Sequence, residues 1–201
     1  MNTKIVERHH FDDLHASGLA FWMISVMHDN PLLPLLKNPY RSLEAAGLKP
    51  SQKVIEVGCG PGFFTIPAAK IVGDKGLIYA IDVNHRAIKR VEEKMRKYGL
   101  SNIKPILGNA ANSELQEGSI DLAFIFGLRY IAGGLSNLIS EMYRILRQGG
   151  ILSFEKTMRS DDKLVEEVER AGFAKTDKKG RIFVFVKTES NQNDCLTAVS
   201  Q

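Results

Sequence analysis

The residues best suited to chemistry lie in one short turn, where residues 56–62 read E-V-G-C-G-P-G after an apolar, β-branched run. Glycine adopts backbone angles and close approaches that a Cβ forbids, so Gly58, Gly60 and Gly62 let a ligand lie against the main chain. The segment that follows is compatible with a helix, whose first N–H groups would face that ligand. The spacing therefore predicts a strand, a tight turn and a helix start that bind a small polar molecule.

Two classes of ligand use such a turn, and the glycine spacing separates them. A dinucleotide-binding turn reads G-x-G-x-x-G, and its third glycine lets the helix pack closely while a pyrophosphate lies at the helix start. In this chain Phe63 occupies that third position. Two alternatives stay open at this point: an NAD(P)-binding oxidoreductase, which Phe63 opposes, and a glycine-rich turn that binds no ligand.

A carboxylate ends the next predicted strand, residues 76–82. In a doubly wound sheet the ligand lies beyond the carboxyl ends of the strands, and an acidic residue about 20 positions after the glycine turn can accept both ribose hydroxyls. Asp82 lies 24 residues after Gly58, which suits that role. The alternative is a helix N-cap, although Asn84 could be that cap itself.

The pattern E-x-G-C-G-x-G resembles motif I of the class I S-adenosylmethionine-dependent methyltransferases, in which the glycine turn passes the methionine moiety. The likeness covers residues from about 50 to 187. Within it, residues 141–150 read E-M-Y-R-I-L-R-Q-G-G and look like the E-x-x-R-x-L-x-P-G-G segment of the branch containing the ubiquinone and menaquinone C-methyltransferases. The resemblance implies S-adenosylmethionine as the cofactor and S-adenosylhomocysteine as the product. The alternative is a catalytically silent S-adenosylmethionine-binding module, because a fold alone does not establish activity.

The expected cofactor contacts follow from the glycine turn, from Asp82 and from the neighbouring strand ends. They are Glu56, Gly58, Cys59, Gly60, Gly62, Asp82, Val83, Asn109, Ala110 and Phe126. Asn109 stands where the family more often has Asp; its amide oxygen could still accept from an adenine amino group, and the alternative is an Asx-turn. Glu56 could touch the amino-acid end of the cofactor or orient the loop. Cys59 is small enough for the turn, and we assign it no redox role.

Three residues near predicted strand ends could act on a methyl acceptor. A sulfonium is already an activated donor, so the protein must align the acceptor and, for a weak nucleophile, remove its proton. Arg129 could bind or polarise an anionic or enolic acceptor, Tyr130 could orient it or help with a proton, and Glu155 could act as a base. Alternatively, Arg129 is a surface charge or a loop anchor, and Tyr130 is a packing aromatic. The alternative for Glu155 is a partner for a nearby cation or cap.

The acceptor is expected to be a small, partly apolar molecule. The branch that the sequence resembles contains quinone methyltransferases, which implies a quinone-like acceptor. Those enzymes typically have Asn in the place of Tyr130 and a longer insertion after the fifth strand, so this implication is weak. The net charge of +4 is spread along the chain, with one modest basic cluster at residues 175–181 that solvated surface charge explains. This balance does not require a nucleic-acid partner, and it leaves a homodimer open.

Length and composition favour one domain in a reducing, cytoplasmic setting. The chain has 201 residues, of which 44% are hydrophobic and 25% charged, enough for a full-sized core. Its two cysteines lie far apart, and the histidines at 9, 10 and 15 lack the i, i+4 spacing of a helical zinc site, so we expect no metal. The apolar run at 19–27 is too short to span a bilayer and follows acidic residues, unlike a signal peptide.

Alternating strand and helix patterns predict an α/β, Rossmann-like doubly wound sheet of seven mostly parallel strands, ending in an antiparallel hairpin. Residues 118–126 are predicted as a turn followed by the fourth strand. The other predicted strands lie at 53–57, 76–82, 103–107, 151–155, 172–176 and 181–187, and predicted helices at 16–27, 40–46, 64–72, 85–98, 135–146 and 161–171. Residues 147–150 and 177–180 are predicted as connections. We expect a helical lid at 1–48, a core at 50–187 and a disordered tail at 188–201.

Overall fold

The computed structural model of the chain describes Val26 and residues 38–127, 131–155 and 161–189. Within these residues seven strands form one sheet: β1 (Lys53–Val57), β2 (Leu77–Asp82), β3 (Ile103–Leu107), β4 (Ile120–Ile125), β5 (Leu146–Glu155), β6 (Phe173–Lys179) and β7 (Ile182–Lys187). The helices are α1 (Pro39–Ala45), α2 (Thr65–Val72), α3 (His85–Tyr98), α4 (Leu135–Ile145) and α5 (Asp161–Arg170), with a 3₁₀ turn at Ala110–Asn112. Apart from β5 and β6, the described bounds agree with the predicted ones to within one residue, and β4 begins at Ile120, two residues into the segment predicted as a turn and a strand.

The strand order is β3-β2-β1-β4-β5-β7-β6. Strands β1 to β5 pair in parallel, whereas β7 runs antiparallel to both β5 and β6. The chain moves outward from β1 to β2 and β3, then returns to place β4 on the other side of β1. This reversal opens a crevice at the carboxyl ends of β1 and β4, where ligands bind in such sheets. The predicted α/β fold with an antiparallel C-terminal hairpin is confirmed.

Apolar side chains cover both faces of the sheet. Val54 in β1 belongs to one buried cluster, which includes side chains of α2 and α3, and Ile55 belongs to a second cluster with side chains of α4. Because helices lie on both faces, the central strand β1 is buried continuously from Val54 to Val57 and shows no alternation. Every helix in the described ranges is too short or too polar to cross a bilayer.

Helix α1 packs onto this sheet. Leu43 is fully buried, and the carbonyl of Ala46 accepts a 2.8 Å hydrogen bond from the hydroxyl of buried Ser153 in β5. The rest of the predicted lid, including the helix at 16–27, lies outside the described residues except for Val26, which is helical and exposed. The closing lid stays a prediction.

One predicted connection proves to be strand at β5. Residues 147–150 belong to it, since Leu146 pairs with Ile120 directly after α4 ends and the pairing resumes, beyond a bulge, between Ile151 and Leu122. Gly149 supplies a φ of +68° within that irregular stretch. The Gly-Gly pair therefore shapes a bulge where we predicted a loop.

The second difference lies in the hairpin. Residues 177–179 belong to β6, because Lys179 pairs with Ile182 and leaves a turn of two residues at 180–181. Gly180 has a φ of +60°, as a tight hairpin turn requires. The charged side chains of residues 177–179 suit the position of β6 at the edge of the sheet, because charge discourages an edge strand from pairing with another chain.

Candidate cofactor and acceptor site

The glycine turn connects β1 to α2 at the carboxyl edge of the sheet. Gly58, Gly60 and Gly62 have φ values of +73°, +50° and +82°, a region that other residues rarely adopt. The backbone N–H groups of Gly58 and Cys59 donate to the carbonyl of Ile81, with N···O distances of 2.8 and 3.2 Å. The turn is thereby held against the end of β2.

Two of the glycines meet different surroundings. A Cβ on Gly60 would find no atom within 4 Å, so the backbone there borders open space. A Cβ on Gly62 would lie 3.3 Å from Cγ2 of Val91 in α3. Gly60 therefore permits close approach by a ligand, whereas Gly62 permits close packing between the turn and α3. Phe63, at the third dinucleotide position, is buried with its ring against Phe64 at a centroid distance of 4.9 Å.

Asp82 lies where β2 ends, and its carboxylate holds the turn. Oδ2 accepts the N–H of Gly60 and Oδ1 accepts the N–H of Asn84, each at 2.9 Å. Asn84 itself caps α3 through a 3.0 Å bond from the N–H of Arg86, so the helix cap is Asn84. Because a carboxylate offers about four acceptor positions, these two bonds do not exclude ribose hydroxyls. Asp82 and the glycine turn form one unit.

Burial governs the chemistry of Glu56. The residue is 3% exposed and accepts a 2.5 Å hydrogen bond from the hydroxyl of Thr65 at the start of α2. Burial raises the pKa of Glu56 to about 8; the Thr65 bond opposes this rise, and the charge of Asp82 adds to it. Glu56 therefore keeps a proton at neutral pH and ties the end of β1 to the helix beyond the turn.

Cys59 is buried in the same turn. Burial, followed by the negative charges of Glu56 and Asp82, raises the pKa of its thiol well above the ordinary value. The reactive form of cysteine is the thiolate, which this environment disfavours. Its surroundings agree with a residue that packs in the turn.

The loop after β3 brings Asn109 beside Asp82. The N–H of Gly108 donates to the carbonyl of Asp82 at 3.0 Å, and Oδ1 of Asn109 accepts the N–H of Ala111 at 2.9 Å. The side chain of Asn109 thus forms the Asx-turn that the sequence left as the alternative. Val83, directly after β2, is 59% exposed, so it presents an apolar side chain at this edge of the sheet. Ala110 is buried beneath the loop.

Phe126 follows β4 and belongs to an aromatic cluster beneath the turn. It is 6% exposed, and its ring lies 5.1 Å from those of Phe64 and Phe124, centroid to centroid. A cofactor contact from Phe126 would therefore come from its backbone.

Glu155, one of the three proposed catalytic residues, lies on the other side of the crevice from Asp82. Glu155 ends β5, which β1 and β4 separate from β2. Three strand spacings place it about 14 Å from Asp82, away from the nucleoside side of the site. Arg129 and Tyr130 lie outside the described residues, so the three catalytic assignments stay predictions.

Sequence reasoning missed the role of Glu141 and Arg144 in α4. Oε1 of Glu141 accepts the N–H and the hydroxyl of Ser113 at 3.0 and 2.6 Å, and Arg144 donates to Glu141 and to the carbonyl of Leu115, each at 2.8 Å. The Arg144 bond is the main cause of a lowered pKa at Glu141. Part of the E-x-x-R segment therefore fastens the loop after Asn109 to α4. The available signal was the i, i+3 spacing of opposite charges on a helix.

Replacing Glu141 with alanine is expected to lower the free energy of unfolding by about 2 kcal/mol, because the polar groups of Ser113 and Arg144 lose a charged partner. Urea unfolding measures the change. Glu92→Ala removes an exposed carboxylate from α3 and should stay within about 0.5 kcal/mol of wild type. Equal losses in the two variants would show that the network adds nothing beyond a surface charge.

Comparison with known proteins identifies the family. The family described as "Methyltransferase domain" matches residues 48–193. The chain belongs to this methyltransferase-domain family. Membership confirms the predicted resemblance and S-adenosylmethionine as the cofactor, and it opposes the NAD(P)-binding alternative. The residues that bind the cofactor stay predictions.

Two curated relatives cover part of this methyltransferase domain. Demethylmenaquinone methyltransferase of Geobacillus stearothermophilus is 36% identical over 101 residues, 50% of this chain and 43% of the relative. The ubiquinone/menaquinone biosynthesis C-methyltransferase of Shewanella sediminis is 33% identical over 120 residues, 57% of this chain and 47% of the relative. The matched region thus spans less than half the length of either.

A solved structure supports the fold over a larger part of the chain. The S-adenosylmethionine-dependent methyltransferase from Aquifex aeolicus superposes with a TM-score of 0.67 at 24% identity, covering 82% of this chain and 96% of that one. At this identity the likeness concerns the fold alone.

Proposed function

We propose that this domain transfers a methyl group from S-adenosylmethionine to a small, partly apolar acceptor. The observation that carries the proposal is the 2.9 Å bond from the N–H of Gly60 to Asp82, which joins the glycine turn to a carboxylate at adjacent strand ends. The turn offers a backbone surface to the methionine portion of the donor, and the carboxylate offers acceptors to the ribose hydroxyls. Each part suits a different end of one ligand.

Bound S-adenosylmethionine supplies a methyl group on a sulfonium, so the protein's task is to hold the donor and align the acceptor. In this proposal Asp82 binds the ribose, exposed Val83 contacts the base, and the backbone at Gly60 approaches the methionine portion. Glu155, across the crevice on β5, removes a proton from acceptors that need it.

The position of the basic cluster supports a small acceptor. A nucleic acid would need many Lys and Arg contacts near the methyl donor. The lysines of residues 175–179 lie on β6, the edge strand, which β4, β5 and β7 separate from β1. Four strand spacings place them about 19 Å from the glycine turn. A quinone-like ring is the acceptor class to test first, because both curated relatives are named for quinone biosynthesis.

Methyl transfer into fractions of a cell extract tests the proposal. The protein is incubated with methyl-labelled S-adenosylmethionine and an extract divided into lipid, polar small-molecule, RNA and protein fractions. We expect label in a small-molecule or lipid fraction. Label in RNA or protein, falling steeply as salt rises, would instead indicate a macromolecular acceptor.

Replacing Arg129 with alanine is expected to lower transfer to that acceptor about tenfold, the loss of one charge-assisted hydrogen bond. Affinity for S-adenosylhomocysteine should change less than about twofold, because the expected ribose and methionine contacts lie on other loops. Initial rates and calorimetry measure the two effects. Arg96→Ala, which removes an exposed cation from α3, is the matched control. A parallel loss of cofactor affinity in Arg129→Ala would argue against an acceptor role.

A further inference from the structure

Helix α3 carries a net charge that the rest of the chain does not share. Six of its fourteen residues are Lys or Arg, and two are Glu. The whole chain has 27 Lys and Arg against 23 Asp and Glu, so α3 accounts for the entire net charge of +4 and the other residues balance. We expected this charge to be spread along the chain, but the excess lies on one helix.

Most of these cations lie on the face of α3 that points away from the sheet. Ala87 and Val91 are buried on the side that packs. The outward side contains positions i, i+3, i+4, i+7 and i+11, which are Arg86, Lys89, Arg90, Glu93 and Lys97. Lys89 and Lys97 are exposed. We call these five residues the basic face.

The one acidic residue of the basic face lies close to its cations. Arg90 donates a 2.8 Å hydrogen bond to Glu93. That bond is the main cause of a lowered pKa at Glu93, and the charges of Arg90 and Lys89 act in the same direction. One carboxylate among four cations leaves the basic face positive.

An exposed aromatic ring lies at the C-terminal end of α3, beside the basic face. Tyr98 is 47% exposed, and the ammonium groups of Lys70 and Lys97 lie 5.2 and 5.3 Å from the centre of its ring. Tyrosine and lysine each combine an apolar body with a polar tip, which suits them to the boundary between a bilayer and water. A nucleic-acid base stacks on an open ring face, whereas here two cations lie over the ring. This combination favours lipid headgroups over a nucleic acid.

The basic face begins beside the proposed cofactor site. Asn84, which caps α3, donates its N–H to Asp82, the carboxylate assigned to the ribose. Fourteen residues of helix extend for about 21 Å. A bilayer that met the basic face would therefore lie within one helix length of the site. A partly apolar acceptor dissolves in such a bilayer.

We propose that the basic face, together with Lys70 and Tyr98, docks the protein on an anionic bilayer surface. The negative headgroups of such a surface attract clusters of Lys and Arg over about a Debye length. The apolar side of α3 is packed on the sheet, so the helix lies on the headgroups without inserting into the bilayer. Docking requires neither S-adenosylmethionine nor an acceptor, so it stands apart from the proposed function.

Sedimentation of the full chain with lipid vesicles tests the docking. We expect it to bind vesicles containing phosphatidylcholine and about one-third phosphatidylglycerol at least about tenfold more tightly than pure phosphatidylcholine, with binding that weakens as salt rises. Replacing Lys70, Lys89 and Lys97 together with glutamine should weaken binding to the anionic vesicles at least about tenfold, because each loses an attraction for headgroups. Glutamine is a good helix former, so the fold is retained, and thermal melting checks this.

The matched control removes the same charge from the edge strand β6. Replacing Lys175, Lys178 and Lys179 together with glutamine should leave binding to the anionic vesicles within about threefold of the wild type. Equal losses in the two triple variants would show that net charge alone attracts the protein, and they would overturn the assignment to α3. Unchanged binding in the folded α3 variant would overturn it as well.

A parallel titration with RNA, single-stranded and duplex, separates the two classes of polyanion. A wild type that binds RNA but not anionic vesicles at the same ionic strength would overturn the bilayer in favour of a nucleic acid. Calorimetry with S-adenosylhomocysteine completes the set, and the α3 variant should bind this ligand like the wild type. If the folded wild type binds vesicles but not S-adenosylhomocysteine, the proposed function fails and the docking stands.

Discussion

Replacing Asp82 with alanine is expected to weaken binding of S-adenosylhomocysteine by ten- to a hundredfold. Losing the hydrogen bonds between a charged acceptor and the ribose hydroxyls costs about 1.5–3 kcal/mol. The substitution also releases the N–H groups of Gly60 and Asn84 from the carboxylate. The turn then loses the contact that holds it in shape before the ligand arrives, which acts in the same direction.

Calorimetry on the wild type and on two further variants separates these contributions. Asp82→Asn keeps an oxygen that can accept one of the two N–H groups, so it tests the charge with part of the turn retained. Asp74→Ala removes an exposed carboxylate from the turn before β2 and should bind like the wild type. Unchanged affinity in Asp82→Ala would show that the ribose does not bind at this edge of the sheet.

The glycine turn was predictable because its signals are local. A β-branched run, glycines two apart and a helix-compatible segment together determine a strand, a turn and a helix. The bond from Gly60 to Asp82 was not predictable in the same way, since it joins residues 22 positions apart. It forms only because β1 and β2 pair in parallel with their carboxyl ends aligned.

The two errors in strand length have a common cause in pairing. Residues 147–150 carry two glycines and residues 177–179 are all charged, so their composition is typical of loops. Residues 177–179 continue the ladder with β7, which comes later in the chain, and residues 147–150 form the bulge between two paired positions of the ladder with β4. The composition of a segment indicates how exposed its residues are. The length of a strand depends instead on how far its pairing with the neighbouring strand extends.

Glu141 and Arg144 show what a motif leaves out. The resemblance identified their segment, and the helix periodicity was visible in the sequence. Their partner Ser113 lies 28 positions before Glu141, in a loop without a periodic pattern. Only the packing of α4 against the 3₁₀ turn brings the two together. The role of a polar residue in a motif can therefore be structural.

The cofactor-free protein is expected to lose stability as pH rises from about 5 to about 8. The pKa of Glu56 rises from 4.5 to about 8 on folding, so the folded state binds this proton more tightly than the unfolded chain does. The stabilisation is complete below the unfolded pKa and is lost as pH rises through the folded pKa. Each pH unit inside that window removes about 1.4 kcal/mol, roughly 4–5 kcal/mol in all.

Urea unfolding across about pH 5 to 9 measures this dependence for the wild type and for Glu56→Gln. Glutamine is uncharged at every pH, and its carbonyl oxygen can still accept the hydroxyl of Thr65, so the variant should show a much flatter profile. Glu92→Gln, at an exposed position of α3, should keep the wild-type slope. If Glu56→Gln lost stability with pH as steeply as the wild type, the titrating group would be another residue, and Glu56 would be ionised in the folded protein at neutral pH.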